Sequence, residues 1–391
     1  MGVIKNRIIL AGIYIHIPFC RQACYYCNFH FSTRLDSKKS MLEAIAMEID
    51  YTCHRIQNEE GVLPSIETLY FGGGTPSLLE EGELQFLMDR ITRHFTLDPG
   101  AEITLEANPD DFSASQAGWW RKAGINRLSI GIQSFRDEDL QWMHRTHRAE
   151  KARQAIELAI QTGFSNLSVD LIYGIPGLKD EDWMDNINRV LDYGISHVAC
   201  YALTVEPRTA LSSMIAAHKK EPVDPEGQAR QFLLLMEAME AAGYEHYEIS
   251  NFAKPGWRSR HNSSYWQGKP YYGFGPSAHS YNGQIRGWNI ANNALYIKSL
   301  QHGAPDFEME ILKESDRLNE YVMTSLRTME GLDLDYVEDR FSPAQRLRLE
   351  NESAKYLDRG WMVREGQNLQ LTKNGKLFAD AIASDLFLLQ T

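Results

Sequence analysis

The sequence predicts an α/β protein with a parallel sheet curled into a partial (β/α)6 TIM-like barrel, followed by a smaller C-terminal helical, winged-helix-like domain. The first observation behind this prediction is that strand-like and helix-like segments alternate six times in the first 250 residues. The second is that glycine follows helix-like segments where a helix is expected to end, at Gly124, Gly163, Gly194 and Gly243. Repeated alternation indicates a parallel sheet, and six or more units can curl into a barrel or partial barrel.

The predicted strands are short, rich in Ile, Val, Leu or Tyr, and several are near-continuously apolar, as expected of strands covered by helices. They are Ile13–Phe19, Ile66–Gly72, Glu102–Asn108, Arg127–Ser134, Leu167–Tyr173 and His197–Leu203. Amphipathic stretches with a helical period lie between them, including Ser40–Arg55, Glu81–Phe95, Lys151–Thr162 and Glu181–Asp192.

The amino-acid composition and the periodicity of the chain change after residue 250. Asn251–Asn289 is crowded with Gly, Pro, Tyr, Trp and Ser and has no clear period, which favours a functional loop region over a plain linker. Helical patterns return from Lys313, and Gly360–Thr372 predicts a β-hairpin with a polar turn. We therefore expect a barrel domain over 1–250, a connecting region over 251–312 and a winged-helix-like domain over 313–391.

Composition and charge exclude several classes of protein. The apolar fraction of 43% and the charged fraction of 24% are ordinary for a soluble globular protein. A net charge of −12 argues against nucleic acid as a partner, so the winged-helix-like unit is expected to have a structural or docking role. The sequence has no stretch of about 18 apolar residues, and its first ten residues lack a signal-peptide pattern. We expect a cytoplasmic, reduced protein.

Three of the five cysteines form a CxxxCxxC run directly after the first predicted strand. These motif cysteines, Cys20, Cys24 and Cys27, indicate a metal site. Structural zinc prefers four closed ligands, and a nearby fourth cysteine is missing because Phe29 stands where one might follow. A [4Fe–4S] cluster held by three cysteines keeps one iron open for chemistry. Cys53 and Cys200 are expected to be buried small apolar residues.

Polar residues and glycines at strand ends form a second group of candidates, because active sites of parallel barrels gather at the C-terminal ends of the strands. They are Gly72–Pro76 after strand two, Glu106, Gln133 and Asp170 within strands, and Arg145 in a polar stretch after strand four. The glycines could allow close approach of a ligand or form only a tight turn. A structural hydrogen bond is the alternative for each polar strand residue, and a solvated surface charge is the alternative for Arg145.

Several motifs together resemble a known family. The run YIHIPFC at Tyr14–Cys20, followed by CxxxCxxC with Tyr26 before the last cysteine, resembles the radical S-adenosylmethionine superfamily. The runs FGGGTPS at Phe71–Ser77, SIGIQSF at Ser129–Phe135 and DLIYGIPG at Asp170–Gly177 are similar to the anaerobic coproporphyrinogen III oxidase group and its close relatives, the HemW-type heme chaperones. The resemblance covers essentially the whole chain and implies a partial barrel of the radical SAM type.

The resemblance implies that the motif cysteines hold three irons of a [4Fe–4S] cluster, whose open iron chelates the amino and carboxylate groups of S-adenosylmethionine. The positions that match S-adenosylmethionine-binding residues of the family are Tyr14, Tyr26, Gly73, Gly74, Thr75, Glu106, Gln133, Arg145 and Asp170. Glu106 suits ribose hydroxyls and Arg145 suits the carboxylate. The cofactors themselves cleave the sulfonium bond to methionine and a 5′-deoxyadenosyl radical, so no side chain is assigned a catalytic role.

The resemblance also implies which branch of the family applies. The decarboxylating enzymes have a further cysteine where this chain has Phe29, and an N-terminal extension where about a dozen residues precede Tyr14. The run HNSSYW at His261–Trp266 instead matches the HNxxYW run of the chaperone branch, and Gly273–Ser280 is a loop shared by the family. Histidine can ligate iron and aromatic rings can pack on a porphyrin, so His261 is a candidate heme contact; the alternative is a surface or hydrogen-bonded histidine.

The favoured interpretation is a heme-binding radical SAM protein that delivers heme, its cargo, to a respiratory acceptor. Any membrane association is expected only through that acceptor. The alternative is an oxygen-independent coproporphyrinogen III dehydrogenase, which removes two propionate carboxyls. A DNA-binding regulator that uses the C-terminal unit is disfavoured by the acidic charge.

Overall fold

The structure, a computed structural model, describes residues 10–303 and 305–388. Residues 1–9, most of the segment expected to lack a signal-peptide pattern, lie outside this description. Packing divides the described chain into two compact units. The first lies within residues 1–168, 206–213 and 269–310, and the second within 169–205, 214–268 and 311–391. Both units are discontinuous in sequence, and the division into 1–250, 251–312 and 313–391 stays a prediction.

The strands alternate with helices up to β6 and become short after it. The strands are β1 (Leu10–Ile17), β2 (Ser65–Gly73), β3 (Thr96–Ala107), β4 (Arg127–Gln133), β5 (Asn166–Tyr173), β6 (His197–Ala202), β7 (Glu245–Glu248), β8 (Asn251–Ala253), β9 (Tyr271–Phe274), β10 (His279–Tyr281), β11 (Ile285–Asn289), β12 (Phe307–Ile311), β13 (Leu332–Asp333), β14 (Met362–Glu365) and β15 (Asn368–Leu371).

The helices range from a single turn to more than six turns. They are α1 (Lys38–Glu60), α2 (Glu81–His94), α3 (Ala114–Lys122), α4 (Asp137–Trp142), α5 (Ala149–Gln161), α6 (Asp180–Asp192), α7 (Ala210–Ala216), α8 (Pro225–Ala241), α9 (Arg260–Trp266), α10 (Asn293–Gln301), α11 (Glu314–Leu326), α12 (Leu334–Arg340), α13 (Pro343–Asp358), α14 (Lys373–Lys376) and α15 (Ala379–Asp385). Two 3₁₀ turns, Pro76–Leu78 and Pro109–Asp111, follow β2 and β3.

The first unit is built on strands in the order β12-β11-β10-β9-β1-β2-β3-β4. Strands β9, β1, β2, β3 and β4 are parallel to their neighbours in this order. Ile13, Ile15 and Ile17 of β1 are fully buried, as its apolar pattern predicts. The register pairs His16 with Gly72, so the loops that follow β1 and β2 begin side by side. The carboxyl ends of parallel strands therefore bring the motif cysteines next to the glycine turn.

The second unit contains the strand order β5-β6-β8-β7, with β8 antiparallel to both of its neighbours; β5 itself has residues in both units. It also contains three helices, α11 to α13, followed by the hairpin β14–β15 that pairs with β13. The hairpin turns at Gly366, whose φ is 61°. The apolar core of this C-terminal part includes Leu318, Val322, Leu326, Leu334, Leu349, Leu369 and Ile382.

Most of the predicted elements are confirmed. The six predicted strands are present as β1 to β6, and the four named helical stretches as α1, α2, α5 and α6. Gly124, Gly163, Gly194 and Gly243 have φ values between 67° and 98°, the left-handed conformation expected after a helix. Within the described ranges, no helix is both long and apolar enough to cross a membrane.

The region Asn251–Asn289, interpreted as a functional loop, contains regular structure. It holds the short strands β8, β9, β10 and β11 and the helix α9. Strands of three to five residues are too short for an alternating pattern to stand out in the sequence. Strand β9 extends the parallel part of the first unit beside β1.

Candidate functional site

The motif cysteines lie in the loop after β1, and all three are partly buried. The Cys20 N–H donates to the Ser32 carbonyl at 3.0 Å, and the Cys27 N–H donates to the Cys24 carbonyl at 3.3 Å. Burial raises the pKa of the Cys20 thiol to about 11; a hydrogen bond from Thr75 acts against this shift, while Cys27 and Cys24 add to it. Burial also raises the pKa of Cys27, with Cys24 contributing. The three sulfurs are thus close enough to influence one another.

The donor set fits a cluster better than a single metal ion. Across the described residues, no group of three or more His, Cys, Asp or Glu side chains is arranged to hold one ion. Cysteines that ligate different irons of a cluster do not have to converge on one point, whereas the ligands of tetrahedral zinc do. Three free cysteines within eight residues supply the ligand type of a [4Fe–4S] cluster, and a bound metal would deprotonate them.

The glycine turn Gly72–Gly74 packs directly on the loop that carries the cysteines. Gly73 has a φ of 107°, and a Cβ there would lie 2.6 Å from the His16 ring. A Cβ on Gly74 would lie 2.6 Å from the carbonyl oxygen of Phe19. The Thr75 hydroxyl donates to Cys20 Sγ at 3.4 Å. Glycine is required here because the backbone of the turn touches β1 and its loop, which supports the tight turn. Close approach of a ligand to these glycines stays a prediction.

Glu106 lies beside the same turn, at the carboxyl end of β3. Its Oε1 accepts the Tyr70 hydroxyl at 2.8 Å, and its Oε2 accepts the Gly73 N–H at 3.2 Å. The structural hydrogen bond considered for Glu106 is therefore present. A carboxylate accepts hydrogen bonds from hydroxyl and N–H donors alike, and ribose hydroxyls are donors of this kind.

Arg145 is not a solvated surface charge. Its Nη2 donates to Asn108 Oδ1 at 2.6 Å and to the Gly131 carbonyl at 2.9 Å, and its Nη1 donates to Cys24 Sγ at 3.4 Å. Burial acts to lower the pKa of Arg145, but Tyr26 and Cys24 outweigh it and hold that pKa above its ordinary value. Burial likewise raises the pKa of Tyr26, opposed by the nearby guanidinium. Arg145 therefore stays cationic beside the motif cysteines.

Two other predicted residues in the first unit lie at strand ends or beside the glycine turn. Tyr14 lies on β1, and its hydroxyl hydrogen-bonds with His16 Nδ1 at 3.2 Å. Gln133 ends β4 with a φ of 64°, a conformation that a non-glycine residue seldom adopts. A Cβ on Gly131 would lie 2.8 Å from Gln133 Nε2, so the amide of Gln133 packs against Gly131.

A clamp on the cysteine loop was not predicted from the sequence. Gln22 Nε2 donates to the His144 carbonyl at 2.7 Å, and His144 Nδ1 donates to the Ala23 carbonyl at 2.8 Å. The rings of Tyr25 and His144 stack with centroids 4.4 Å apart, and the Tyr25 N–H donates to the Met143 carbonyl. His144 has a φ of 62°. These contacts hold the loop against the turn after α4.

A second unpredicted contact ties the loop to the turn after β3. Asp111 is 3% exposed; its Oδ1 accepts Arg21 Nε at 3.1 Å and its Oδ2 accepts the Ser77 hydroxyl at 2.7 Å. The Ser77 oxygen in turn accepts the Asn108 N–H at 3.1 Å. The sequence signal for this contact was the Asn-Pro-Asp-Asp turn, which begins two residues after Glu106.

The remaining two predicted residues belong to the second unit. Asp170 is partly buried on β5 and contributes, after burial, to the raised pKa of the Cys200 thiol. His261 on α9 is 1% exposed, and its Nε2 hydrogen-bonds with the Tyr265 hydroxyl at 2.8 Å. His261 is therefore a buried, hydrogen-bonded histidine and not a surface one, and its role as a heme contact stays a prediction. Cys53 and Cys200 are buried, as predicted.

Comparison with known proteins first defines the class. Residues 14–190 match the radical SAM superfamily, and residues 312–378 match the HemN C-terminal domain. The fold is similar to that of coproporphyrinogen III oxidase (HemN) from Escherichia coli, with a TM-score of 0.82 and 22% identity over 97% of this chain and 90% of that chain. The predicted fold class, an α/β partial barrel of the radical SAM type with a smaller C-terminal domain, is confirmed.

Sequence relatives then define the branch. The chain is 35% identical to the heme chaperone HemW of Mycobacterium tuberculosis over 380 residues, which cover 96% of this chain and 94% of that protein. It is 32% identical to the heme chaperone HemW of Bacillus subtilis over 95% of this chain and 98% of that protein. The chain belongs to the HemW heme chaperone family of radical SAM proteins.

Proposed function

We propose that this protein binds heme and delivers it to a respiratory acceptor on the cytoplasmic side, with a [4Fe–4S] cluster and S-adenosylmethionine as cofactors. The observation that carries the proposal is full-length similarity at 32–35% identity to proteins named heme chaperones. The similarity to the decarboxylating oxidase, at 22% identity, extends to the fold alone.

The residues around the motif cysteines support the cofactor part of the proposal. The motif cysteines would hold three irons, and Tyr14, Tyr26, Gly73, Gly74, Thr75, Glu106, Gln133, Arg145 and Asp170 would bind S-adenosylmethionine. When bound, the two cofactors supply one-electron chemistry at the sulfonium group. The chain's own part is to donate hydrogen bonds to the sulfurs of Cys20 and Cys24, from Thr75 and Arg145. Donors to cluster sulfurs stabilise negative charge on them.

Phe29 supports the chaperone over the decarboxylase. Its side chain is 67% exposed, two residues beyond Cys27. The decarboxylating relatives resembled by this sequence have a cysteine at this position, so a thiol is replaced by an apolar ring beside the proposed cluster. The net charge of −12 leaves nucleic acid an unfavourable partner, so heme and a protein acceptor are the partners proposed here.

One anaerobic experiment separates the two functions. Reconstituted protein is incubated with coproporphyrinogen III, S-adenosylmethionine and a reductant, and the tetrapyrroles are analysed by chromatography. We expect no protoporphyrinogen IX; its formation at many turnovers per chain would reject the chaperone assignment as the main function. In parallel, hemin is titrated into the same preparation. We expect a saturable shift of the Soret band, and its absence would reject heme binding.

A further inference from the structure

One face of the hairpin formed by β10 and β11 carries an unusual set of side chains. The register pairs His279 with Trp288 and Tyr281 with Arg286, and it pairs Tyr281 with Tyr271 of β9. Directly opposed residues of neighbouring antiparallel strands share a face of the sheet. These five residues, Tyr271, His279, Tyr281, Arg286 and Trp288, are called the hairpin face below.

Ring geometry confirms that the side chains of the hairpin face are neighbours. The ring centroids of His279 and Trp288 are 6.0 Å apart with the rings tilted by 32°, and those of Tyr271 and Tyr281 are 6.3 Å apart. Arg286 is close enough to influence both His279 and Tyr271 electrostatically. All five residues lie in the first unit.

His279 has the properties of an available iron ligand. The residue is exposed, and in the part of the chain that the structure describes neither of its ring nitrogens makes a hydrogen bond. His261, by contrast, is buried and hydrogen-bonded to Tyr265. Although the residue is exposed, neighbouring atoms partly desolvate its ring; this desolvation and then Arg286 lower the pKa of His279, so the neutral imidazole predominates at neutral pH. The neutral form is the one that binds a metal.

The other members of the hairpin face match the rest of an iron porphyrin. Indole and phenol rings pack on flat apolar surfaces, and a guanidinium pairs with carboxylates such as the porphyrin propionates. Arg286 forms an ion pair with Glu310 at 3.4 Å, and both side chains are about one-third to one-half exposed. Exposed pairs of this kind contribute little free energy, so a propionate could displace Glu310.

We propose that the hairpin face is a heme-contact site and that His279 supplies an axial imidazole to the heme iron. This inference rests on the proposed function, because it names where the chain holds the heme. It assigns iron ligation to a residue outside the HNSSYW run.

The test is a hemin titration of the full-length, anaerobically reconstituted protein, read as difference spectra against the same protein without hemin. The variants are His279→Ala, His261→Ala and, as a matched control, His54→Ala, which removes another exposed histidine without a side-chain hydrogen bond in the described chain. Loss of a residue that only supports a metal ligand weakens binding by about 10- to 100-fold, so loss of the ligand itself should cost at least about tenfold. We expect this loss for His279→Ala and none for His54→Ala.

Binding of metal-free protoporphyrin IX, measured by fluorescence, distinguishes iron ligation from packing on the porphyrin ring, because this porphyrin has no iron to ligate. His279→Ala should retain porphyrin binding because the aromatic rings remain, whereas Trp288→Ala should weaken the binding of porphyrin and hemin alike. Unchanged hemin affinity and spectrum in His279→Ala would overturn the inference and leave the proposed function intact, as would a loss confined to His261→Ala. Equal loss of porphyrin and hemin in His279→Ala would overturn the ligand role. A parent protein that binds no hemin would reject the proposed function itself.

Discussion

The buried carboxyl of Glu48 should make the first unit less stable as pH rises from acidic to neutral. Glu48 on α1 is 6% exposed; it accepts the Gly275 N–H at 2.9 Å and Asn289 Nδ2 at 2.6 Å, and it also accepts the Tyr296 hydroxyl. Burial raises the pKa of Glu48 from 4.5 to about 7, and the three hydrogen bonds oppose this shift. The carboxyl thus joins α1, β11, α10 and the loop at Gly275.

The sign of the effect follows from proton binding. An unfolded glutamate loses its proton near pH 4.5, while the folded Glu48 keeps its proton up to about pH 7. Between these values the folded state binds more protons, so the free energy of unfolding decreases as pH rises and levels off above about pH 7. A shift of this size corresponds to roughly 3 kcal/mol, at 1.36 kcal/mol for each unit of pKa.

The assay compares thermal unfolding midpoints of the parent and Glu48→Gln from pH 5 to pH 8 at one scan rate. Glutamine does not titrate, and its single side-chain oxygen can still accept from Gly275 and Tyr296, which donate to the same carboxyl oxygen of Glu48. Between pH 5 and pH 8 about 2.5 kcal/mol of this difference is expressed, because an unfolded glutamate is already mostly deprotonated at pH 5. For a unit of this size, 1 kcal/mol corresponds to roughly 2–4 °C, so the midpoint of the variant minus that of the parent should increase by roughly 5–10 °C between the two pH values. Glu43→Gln, which alters an exposed glutamate on the same helix, is the matched control.

The change of this difference with pH carries the test, since the amide can shift stability by a constant amount at every pH. A difference that stays constant from pH 5 to pH 8 would refute the argument, because it would mean that Glu48 has the same pKa in the folded and unfolded protein. A pH dependence equal in the Glu43→Gln control would assign the effect to surface charge instead.

Three further predictions concern the candidate site. Replacing any motif cysteine by Ala should abolish the iron content and brown colour of the reconstituted protein, while Cys53→Ala should not; equal iron content would contradict the ligand assignment. Gly74→Ala should cost about 1–3 kcal/mol in unfolding experiments, because its Cβ would overlap the backbone after β1. Gly82→Ala on α2 should be neutral or stabilising, because its Cβ would meet no described atom within 4 Å apart from the neighbouring backbone of its own helix. Asp111→Ala should cost about 1–3 kcal/mol because it leaves the buried Ser77 hydroxyl without its acceptor, while the exposed Asp110→Ala should be near neutral; matching losses would argue against the buried contact.

The strands and helices of the α/β part could be predicted because each is long enough to show its own period or an unbroken apolar run. The elements between Asn251 and Asn289 could not, because strands of three to five residues are stabilised by their neighbours and carry little pattern. Strand β9 pairs with β1, more than 250 residues away in the chain. A local pattern holds no information about such a partner.

In the candidate site, too, some residues could be predicted from the sequence and others could not. The motif cysteines and the glycine turn were identified because their spacing and composition are local features of the sequence. The clamp by His144 could not be, since Gln22 and Ala23 meet it across more than 120 residues of chain. The contacts of Arg145 could not be predicted either, because Arg145 and Cys24 are 121 residues apart in the chain.

The sequence by itself determined the class of protein, the cysteines of the proposed cluster and the chaperone branch, since these rest on residue types at fixed spacing. Tertiary structure alone decided which histidine is accessible. His261, prominent in the sequence, is buried against Tyr265, while His279 lies exposed beside Trp288. The physical reason is that exposure and hydrogen bonding depend on the strands and helices that pack around a side chain, and these come from distant parts of the chain.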